Sequence, residues 1–257
     1  MSKYAVFGNP ISHSLSPQIH TAFAKQFDMT IDYQKILAPL DQFKNTVDAF
    51  RAQGGLGANI TIPFKIQAFE YADQLTDRAK LAGAVNTFIF KNNICIGDNT
   101  DGVGFIRDLK NNYFNVSGKN ILILGAGGAA RGILGEIIRE KPNKIFIYNR
   151  TIENTEKLIM FFASRFPIKI LAHEKQFDLI INTANTDSRI NFNTDLQLDL
   201  SNTFLYDLNY GERRNIFFKN DGLGMLIEQA AESFYLWFDK KPEIKHVLRA
   251  IQKQCGQ

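Results

Sequence analysis

The hydrophobic positions of the chain fall into two alternating kinds of segment. Short apolar runs rich in β-branched and aromatic residues occupy positions 4–7, 121–124 and 179–181, and each run predicts a buried strand. Elsewhere apolar residues recur at helical spacing, as Phe43, Val47 and Phe50 do. Strands that alternate with helices in this way predict an α/β fold with mostly parallel sheets.

Local signals place the elements of the first half. Ser16 followed by Pro17 predicts a helix start, with Ser16 as the N-cap. A strand over 58–62 stops at Pro63, which cannot donate to a sheet but can open a helix, so Lys65 lies in the first turn of that helix. Apolar runs over 85–90 and 94–96 flank the polar residues 91–93 and predict a hairpin. A helix follows Asp101.

Composition narrows the class of protein. Of the 257 residues, 45% are apolar and 22% charged, which is ordinary for a folded globular protein. The net charge of +4 includes no Lys/Arg run longer than a pair, so no nucleic-acid partner is expected. Cys95 and Cys255 are isolated and predict neither a disulfide framework nor a thiolate metal site. Without an apolar signal segment or a run of about 18 apolar residues, the expected location is the cytoplasm, with no membrane contact.

A dinucleotide signature follows the predicted strand 121–124. Gly125, Ala126, Gly127, Gly128 and Ala129, continued by alanine at 130, give G-x-G-x-x-A between a strand and a helix. Such glycines let the backbone approach a pyrophosphate, whose charge then lies at the positive end of the helix dipole. A glycine-rich turn that serves packing alone is the alternative, but the strand-turn-helix context favours the nucleotide.

The end of the next strand indicates which nucleotide. An NAD site places Asp or Glu there to bind the ribose hydroxyls, whereas this chain has Asn149, Arg150 and Thr151. The guanidinium of Arg150 is suited to stack on adenine and to bind a 2′-phosphate, which predicts NADP as the cofactor. An exposed arginine that serves solubility alone is the alternative.

Several motifs occur together: G-N-P-I-x-H-S-x-S-P at 8–17, N-I-T-I-P-F-K at 59–65, A-G-A-V-N-T at 82–87, D-N-T-D-G at 98–102, N-R-T at 149–151 and D-G-L-G-M-L at 221–226. By this combination, which spans nearly the whole length, the chain resembles the shikimate dehydrogenase family. The resemblance implies reversible reduction of 3-dehydroshikimate to shikimate with NADPH, a step towards chorismate and the aromatic amino acids.

The resemblance also implies an architecture and a set of site residues. Residues 1–101, completed by helices over 222–257, would form a substrate domain, and 102–221 a Rossmann-type NADP domain. Substrate would lie between them. Its carboxylate would meet Ser14, Ser16 and Tyr210, while the ring hydroxyls and carbonyl would meet Thr61, Lys65, Asn86, Asp101 and Gln229. Leu208, Gly222 and Met225 would join the nucleotide turn in contacting the cofactor.

The chemistry requires a proton donor, because hydride delivery to a ketone creates an alkoxide. No His or Cys cluster has the spacing of a metal site, so a lysine must be considered, and the resemblance implies Lys65. Lys65 lies at the start of a helix, where the helix dipole disfavours its positive charge by about 0.3 to 1 kcal/mol. The negative charge of Asp101 would act in the opposite direction and would orient the amine. Taken singly, Lys65 is a solvated lysine, Ser16 an N-cap, Asp101 a helix-start carboxylate and Asn86 a turn residue. No role is assigned to His13.

Three departures from the family pattern concern the cofactor domain. Asn154 stands where the family usually has a second basic residue, which predicts a weaker NADP preference. The loop over 181–186 has an unusual sequence, and the segment 211–219 is short. A relaxed quinate/shikimate dehydrogenase and a non-catalytic nucleotide-binding member remain alternatives. The sequence leaves a monomer and a homodimer open.

Overall fold

A computed structural model of the protein describes residues 1–184, 196–211, 214, 215 and 217–254. Two six-stranded sheets organise this part of the chain, as the alternating pattern predicts. The first contains strands β1 to β6 in the order β2-β1-β3-β5-β6-β4, and the second contains β7 to β12 in the order β12-β11-β10-β7-β8-β9. The α/β fold is therefore confirmed.

The elements follow one another closely along the chain. In the first sheet and its helices they are β1 Ser2–Gly8, α1 Ser16–Lys25, β2 Ile31–Leu37, α2 Phe43–Ala52, β3 Gly55–Ile60, α3 Lys65–Tyr71, β4 Gln74–Leu75, α4 Asp77–Ala82, β5 Thr87–Lys91, β6 Ile94–Asp98 and α5 Asp101–Asn111. The remaining elements are β7 Asn120–Leu124, α6 Gly128–Arg139, β8 Lys144–Tyr148, α7 Ile152–Phe162, β9 Ile168–Ile170, β10 Leu179–Asn182, β11 Phe204–Asp207, β12 Asn220–Asp221, α8 Leu223–Phe238 and α9 Lys245–Gln254.

Strand direction differs between the two sheets. In the second sheet every neighbouring pair is parallel, and its central strand β7 has no side chain more than slightly exposed from Ile121 to Leu124. In the first sheet β5 runs antiparallel to both β3 and β6. The predicted hairpin is β5 and β6. Asn92 and Asn93 at its tip both have positive φ, 51° and 62°, which is the geometry of a type I′ turn.

The predicted start of α1 is displaced by one residue. The helix begins at Ser16 itself, with Leu15 in the cap position and no side-chain cap hydrogen bond. The hydroxyl of Ser16 instead accepts a hydrogen bond from Ser14 Oγ at 3.2 Å. Ser16 is therefore not an N-cap, because its side chain is turned towards the preceding loop.

The last two helices pack beside the first sheet. Ile227 and Phe234 of α8 and Ile251 of α9 share one apolar cluster with Tyr4 of β1 and Phe23 of α1. Helix α8 also packs along α5. Glycine at position 104 permits this approach, because a Cβ there would lie 2.6 Å from the backbone nitrogen of Gln229. The packing brings residues from both ends of the chain to one side of the first sheet.

Among the described residues, no helix combines the length and the apolar character needed to cross a membrane. The unusual loop over 181–186 is described only as far as residue 184. Positions 212, 213 and 216 of the short segment 211–219, and Cys255 with the last two residues, also lie outside the described residues.

Candidate active site

One cavity of about 460 Å³ is lined by residues of the first sheet, by residues that follow strands of the second sheet and by α8. All eight residues predicted to contact substrate line it, and so do four of those predicted to contact cofactor. The first set is Ser14, Ser16, Thr61, Lys65, Asn86, Asp101, Tyr210 and Gln229, and the second is Ala129, Leu208, Gly222 and Met225. Residues separated by up to 215 positions in sequence thus converge on a single space.

The most polar wall of this cavity holds an ion pair. Lys65 is the first residue of α3 and Asp101 the first residue of α5. Lys65 Nζ lies 2.5 Å from Asp101 Oδ2, and the two side chains are only 14% and 7% exposed. Shielding from water strengthens the interaction between the charges. The amine of Lys65 can carry a proton, donate it and take it back while it stays in contact with the carboxylate of Asp101.

Asn86 holds the other oxygen of the same carboxylate. Its Nδ2 donates to Asp101 Oδ1 at 2.8 Å, to Thr100 Oγ1 at 2.9 Å and to Gln229 Oε1 at 3.2 Å. The orientation of the amide follows from its surroundings, because Asn86 Oδ1 accepts from the backbone N–H of Thr100 at 2.8 Å, a group that can only donate. Asp101 is therefore fixed between an amide and an ammonium.

The helix of the dinucleotide turn approaches this pair directly. Gly132 in α6 faces Asp101, and a Cβ at position 132 would lie 2.8 Å from Asp101 Oδ2. Only a residue without a side chain leaves that carboxylate in place. The structure thus joins the predicted acid/base pair to the predicted nucleotide helix.

Hydroxyl groups form another part of the cavity lining. Ser14 Oγ and Ser16 Oγ are 3.2 Å apart, and the backbone N–H of Ser16 donates to Ser14 Oγ at 3.3 Å. Tyr210 lines the same space. Lys35 Nζ donates to the carbonyl oxygen of Ser12 at 2.6 Å, which ties the loop to β2. Hydroxyl donors held in this way suit a carboxylate.

Thr61 and Gln229 complete the lining. Thr61 packs against Gly8, where a Cβ would come within 2.5 Å of Thr61 Cγ2. Gln229 projects from α8, and its Nε2 donates to the carbonyl oxygen of Leu226 at 2.8 Å. One N–H of Gln229 Nε2 therefore stays available in the cavity. His13, to which no role is assigned, is exposed and also lines the cavity.

The turn between β7 and α6 has the features of a pyrophosphate site. Gly125 has a φ of +106°, and a Cβ on it would lie 2.5 Å from Thr183 Oγ1, so a larger residue is disfavoured twice. At Gly127 and Gly128 a Cβ would meet nothing within 4 Å, which leaves open space over the start of α6. No side chain caps this helix. Its first N–H groups remain free for an anion.

The three residues predicted to select the nucleotide follow β8. Asn149 Nδ2 donates to the carbonyl oxygen of Thr151 at 2.7 Å and shapes the loop. Arg150 is exposed and makes no ion pair with any described residue. Its guanidinium is therefore available to a phosphate. A nucleotide with a 2′-phosphate fits these residues, since the glycine turn offers space and the loop offers a free cation.

Four buried residues in or next to the cavity lining were missed by the sequence analysis. Asn59, Thr87 and Thr100 lie inside motifs that were recognised, so their positions carried a signal that was not used. Ser233 lies one helical turn after Gln229 and carried no signal. The four side chains form hydrogen bonds to one another and to Asn86.

Other features give no competing site. Within the described ranges, no group of three or more His, Cys, Asp or Glu side chains is arranged to hold a metal ion. A second cavity of about 610 Å³ lies between α2 and α3 and contains none of the predicted residues. Three of its polar side chains contact one another, since Tyr71 Oη donates to Asp48 at 2.6 Å and accepts from Arg51 at 2.8 Å.

Comparison with known proteins covers nearly all of the chain. Residues 6–88 match the shikimate dehydrogenase substrate binding domain, 108–208 match the shikimate / quinate 5-dehydrogenase family, and 222–252 match the shikimate 5'-dehydrogenase C-terminal domain. Shikimate dehydrogenase (NADP(+)) of Nitrosomonas europaea is 45% identical, covering 98% of this chain and 97% of that protein. The same enzyme of Cellvibrio japonicus is 42% identical, covering 99% and 98%.

Solved structures agree with these relatives. Shikimate dehydrogenase from Aquifex aeolicus has a TM-score of 0.87 at 30% identity, covering 98% of each chain. Shikimate 5-dehydrogenase from Thermus thermophilus, in complex with NADP(H) and shikimate, has a TM-score of 0.84 at 25% identity, covering 98% of this chain and 99% of that one.

Proposed function

The chain belongs to the shikimate dehydrogenase family, and we propose that it reduces 3-dehydroshikimate reversibly to shikimate with NADPH, using Lys65 and Asp101 as the acid/base pair. One observation carries the proposal. The 2.5 Å contact between Lys65 Nζ and Asp101 Oδ2 lies in the cavity that also contains the paired serines and the edge of the nucleotide turn.

The acid/base roles follow from which atoms change charge. Bound NADPH supplies the hydride. Lys65 donates a proton from Nζ to the oxygen that becomes an alkoxide, and in the reverse direction it removes the proton from the hydroxyl. Asp101 holds the amine in place, while Asn86 keeps the carboxylate oriented through Oδ1. Gly132 leaves room for this carboxylate beside α6.

Substrate orientation is assigned to the remaining polar groups. The substrate carboxylate is bound by Ser14, Ser16 and Tyr210. The ring hydroxyls are bound by Thr61, Asn86 and Gln229. A ring anchored at both ends presents one carbon to the cofactor, which converts an encounter into an oriented reaction. Support comes from their shared cavity.

The cofactor assignment rests on the fit of the residues present. Gly125, Ala126, Gly127, Gly128 and Ala129 would hold the pyrophosphate at the start of α6. Asn149, Arg150 and Thr151 would surround the adenosine phosphate. Leu208, Gly222 and Met225 would enclose the nicotinamide, since all three line the cavity beside Asp101. The relatives named above are NADP(+) enzymes, in keeping with Arg150.

The same proposal divides the chain into 1–101 with 222–257 as the substrate domain and 102–221 as the nucleotide domain. The packing of α8 and α9 against β1 and α1 supports this division. Shikimate and 3-dehydroshikimate are the proposed small-molecule partners, with no nucleic acid. Location in the cytoplasm and assembly as a monomer or homodimer stay predictions.

The decisive experiment follows cofactor absorbance with purified protein, shikimate and either NADP or NAD. Reduction of NADP that depends on shikimate, and that is faster than reduction of NAD, is the expected result. Quinate serves as the matched alternative substrate, because it tests the broader quinate/shikimate activity. Absence of turnover with every pair, in a protein shown to be folded, would refute the proposed activity and favour a nucleotide-binding role.

A further inference from the structure

A cluster of three buried hydroxyl groups lies directly behind the acid/base pair. Thr87 opens β5, Thr100 precedes α5 and Ser233 lies in α8, and none of the three is exposed. Thr87 Oγ1 is 2.8 Å from Ser233 Oγ, and Thr100 Oγ1 is 3.1 Å from it. We call these residues the hydroxyl cluster. It links elements from both ends of the chain.

The hydroxyl cluster acts on Asn86 through the carbonyl end of its amide. Asn86 Oδ1 accepts from the backbone N–H of Thr100 at 2.8 Å and from Thr87 Oγ1 at 2.9 Å. Thr100 Oγ1 also lies 3.2 Å from this oxygen, and because a backbone N–H can only donate, the atom that faces it is the carbonyl oxygen of the amide. The N–H groups of the amide then face Asp101 Oδ1 at 2.8 Å, Thr100 Oγ1 at 2.9 Å and Gln229 Oε1 at 3.2 Å.

The position of Asp101 depends on that orientation. Its carboxylate has one oxygen on Asn86 and the other on Lys65 Nζ. Rotation or displacement of the Asn86 amide would move Asp101 Oδ1. Asp101 Oδ2 would then shift relative to Lys65 Nζ. A displacement of a few tenths of an ångström at this contact changes the geometry of proton transfer.

We propose that Thr87 is a positioning residue that acts through Asn86 to hold Asp101 against Lys65. This inference rests on the proposed function and adds to it a residue that touches neither substrate nor cofactor. Thr87 is absent from the cavity lining. Its hydroxyl also accepts from Asn59 Nδ2 at 3.2 Å, so removing it would leave several buried groups with fewer partners.

The substitution Thr87→Val tests the inference, because valine keeps the shape of threonine and removes only the hydroxyl's hydrogen bonds. We expect kcat with shikimate and NADP to fall about tenfold, the equivalent of one lost hydrogen bond to a buried group, with a smaller change in KM. Thr87→Ser, which retains the hydroxyl, is expected to restore most of kcat. Should the valine variant not fold, Thr87→Ala is judged by the same criterion.

Thr203→Val is the matched control. Thr203 Oγ1 donates to the carbonyl oxygen of Phe177 at 2.8 Å, just before β11 and outside the cavity lining. The Thr203→Val variant should have lower thermal stability than the wild type and an unchanged kcat at temperatures below its unfolding transition. A Thr87→Val enzyme whose kcat equals that of Thr203→Val would overturn the inference and leave the proposed function intact. A folded wild-type protein with no turnover would overturn both.

Discussion

Lys65 Nζ and Asp101 Oδ2 lie 2.5 Å apart, although 36 residues separate them in sequence. Each residue opens a helix, α3 and α5 respectively, so both side chains start from a defined backbone position. Both are largely shielded from water. Removing one partner leaves the other charge buried, which destabilises as well as inactivates, so kinetic tests of this pair need a folding control.

Replacement of Lys65 by alanine should lower kcat by about 10²- to 10⁴-fold, the range for loss of a positioned acid/base group. The KM for shikimate should change less, because the serine and amide contacts to substrate survive in the ground state. Steady-state kinetics, with circular dichroism to confirm folding, measure this. A kcat close to that of the wild type would end the acid/base assignment.

The double variant separates a coupled pair from two independent residues. Asp101→Ala alone should resemble Lys65→Ala, and combining the two substitutions should add little further loss, because groups that act as a unit are strongly non-additive. The four enzymes form a thermodynamic cycle measured under one set of conditions. Fully additive losses would show that the two side chains act separately.

Arg150→Ala should raise KM for NADP and leave KM for NAD almost unchanged. A charge-assisted hydrogen bond contributes about 1.5 to 3 kcal/mol, which corresponds to roughly ten- to a hundredfold. Arg249→Ala, an exposed arginine of α9, is the matched control and should affect neither cofactor. If both nucleotides lost affinity equally, Arg150 would not be the residue that selects NADP.

Much of the fold could be predicted because its signals are local. Strand β7 covers the predicted run 121–124 with one residue more, Asn120, since its apolar positions end at the glycine turn. Lys65 opens α3 as the position of Pro63 predicts, although β3 ends at Ile60, two residues before the predicted end of the strand. The hairpin follows from two apolar runs around two asparagines. In each case neighbouring residues contain the whole physical cause.

Contacts between distant segments could not be predicted from those signals. Asn86 and Gln229 are 143 positions apart, and their meeting depends on how α8 packs along α5. Only the resemblance to a family placed both in one site. Ser233 had no signal, because a serine inside an apolar helix is not distinctive. Ser16 was wrongly expected to cap α1, since its hydroxyl is held by Ser14 in the preceding loop.

Substitution of Gly104 by alanine should weaken substrate binding through α8. A Cβ at position 104 would lie 2.6 Å from the nitrogen, 2.7 Å from Cβ and 2.9 Å from Cα of Gln229, so the helices must separate. We expect a higher KM for shikimate and a loss of about 1 to 3 kcal/mol in the free energy of unfolding, as for other overpacked positions. An unchanged KM would show that the helices adjust without moving Gln229.

Asp108→Asn should stabilise the protein at neutral pH. Burial raises the pKa of Asp108 from 3.8 to about 6, against the hydrogen bond that Tyr206 Oη donates to it and with a smaller contribution from Asp221. The folded state therefore binds the proton more tightly, and stability is lost as pH rises from about 4 to 6. Above that range the buried carboxylate of Asp108 lowers the free energy of unfolding by about 3 kcal/mol. The neutral amide that Asp108→Asn introduces removes this cost.

Denaturant unfolding of wild type and Asp108→Asn across this pH range measures the difference. The stabilisation should shrink as pH falls and vanish below about 4, where the carboxyl is neutral in both the folded and unfolded states. A constant difference at every pH would show that Asp108 does not titrate as its burial implies.

His20→Phe should remove a pH dependence of the opposite sign. The imidazole is fully buried, stacks on Tyr33 at a centroid distance of 4.6 Å, and neither ring nitrogen has a hydrogen-bond partner among the described residues. Burial lowers the pKa of His20 from 6.5 to about 3, and the neighbouring Asn59 amide offsets only part of this. The folded state keeps the ring neutral while the unfolded state accepts a proton. His20 therefore takes nothing from the free energy of unfolding above about pH 6.5, and it lowers that free energy as pH decreases from 6.5 towards 3.

Between about pH 7 and pH 5 the titration of His20 should lower the free energy of unfolding by about 2 kcal/mol. Protonation of Asp108 should raise it by about 1 kcal/mol over the same interval. The wild-type curve thus hides two opposing slopes, and only the single variants reveal them. His20→Phe, which fits the aromatic cluster around Tyr33, should hold its stability between about pH 7 and 5 better than the wild type by about 2 kcal/mol. Parallel curves for His20→Phe and wild type, measured by denaturant unfolding, would show that the imidazole accepts a proton as readily inside the fold as outside it.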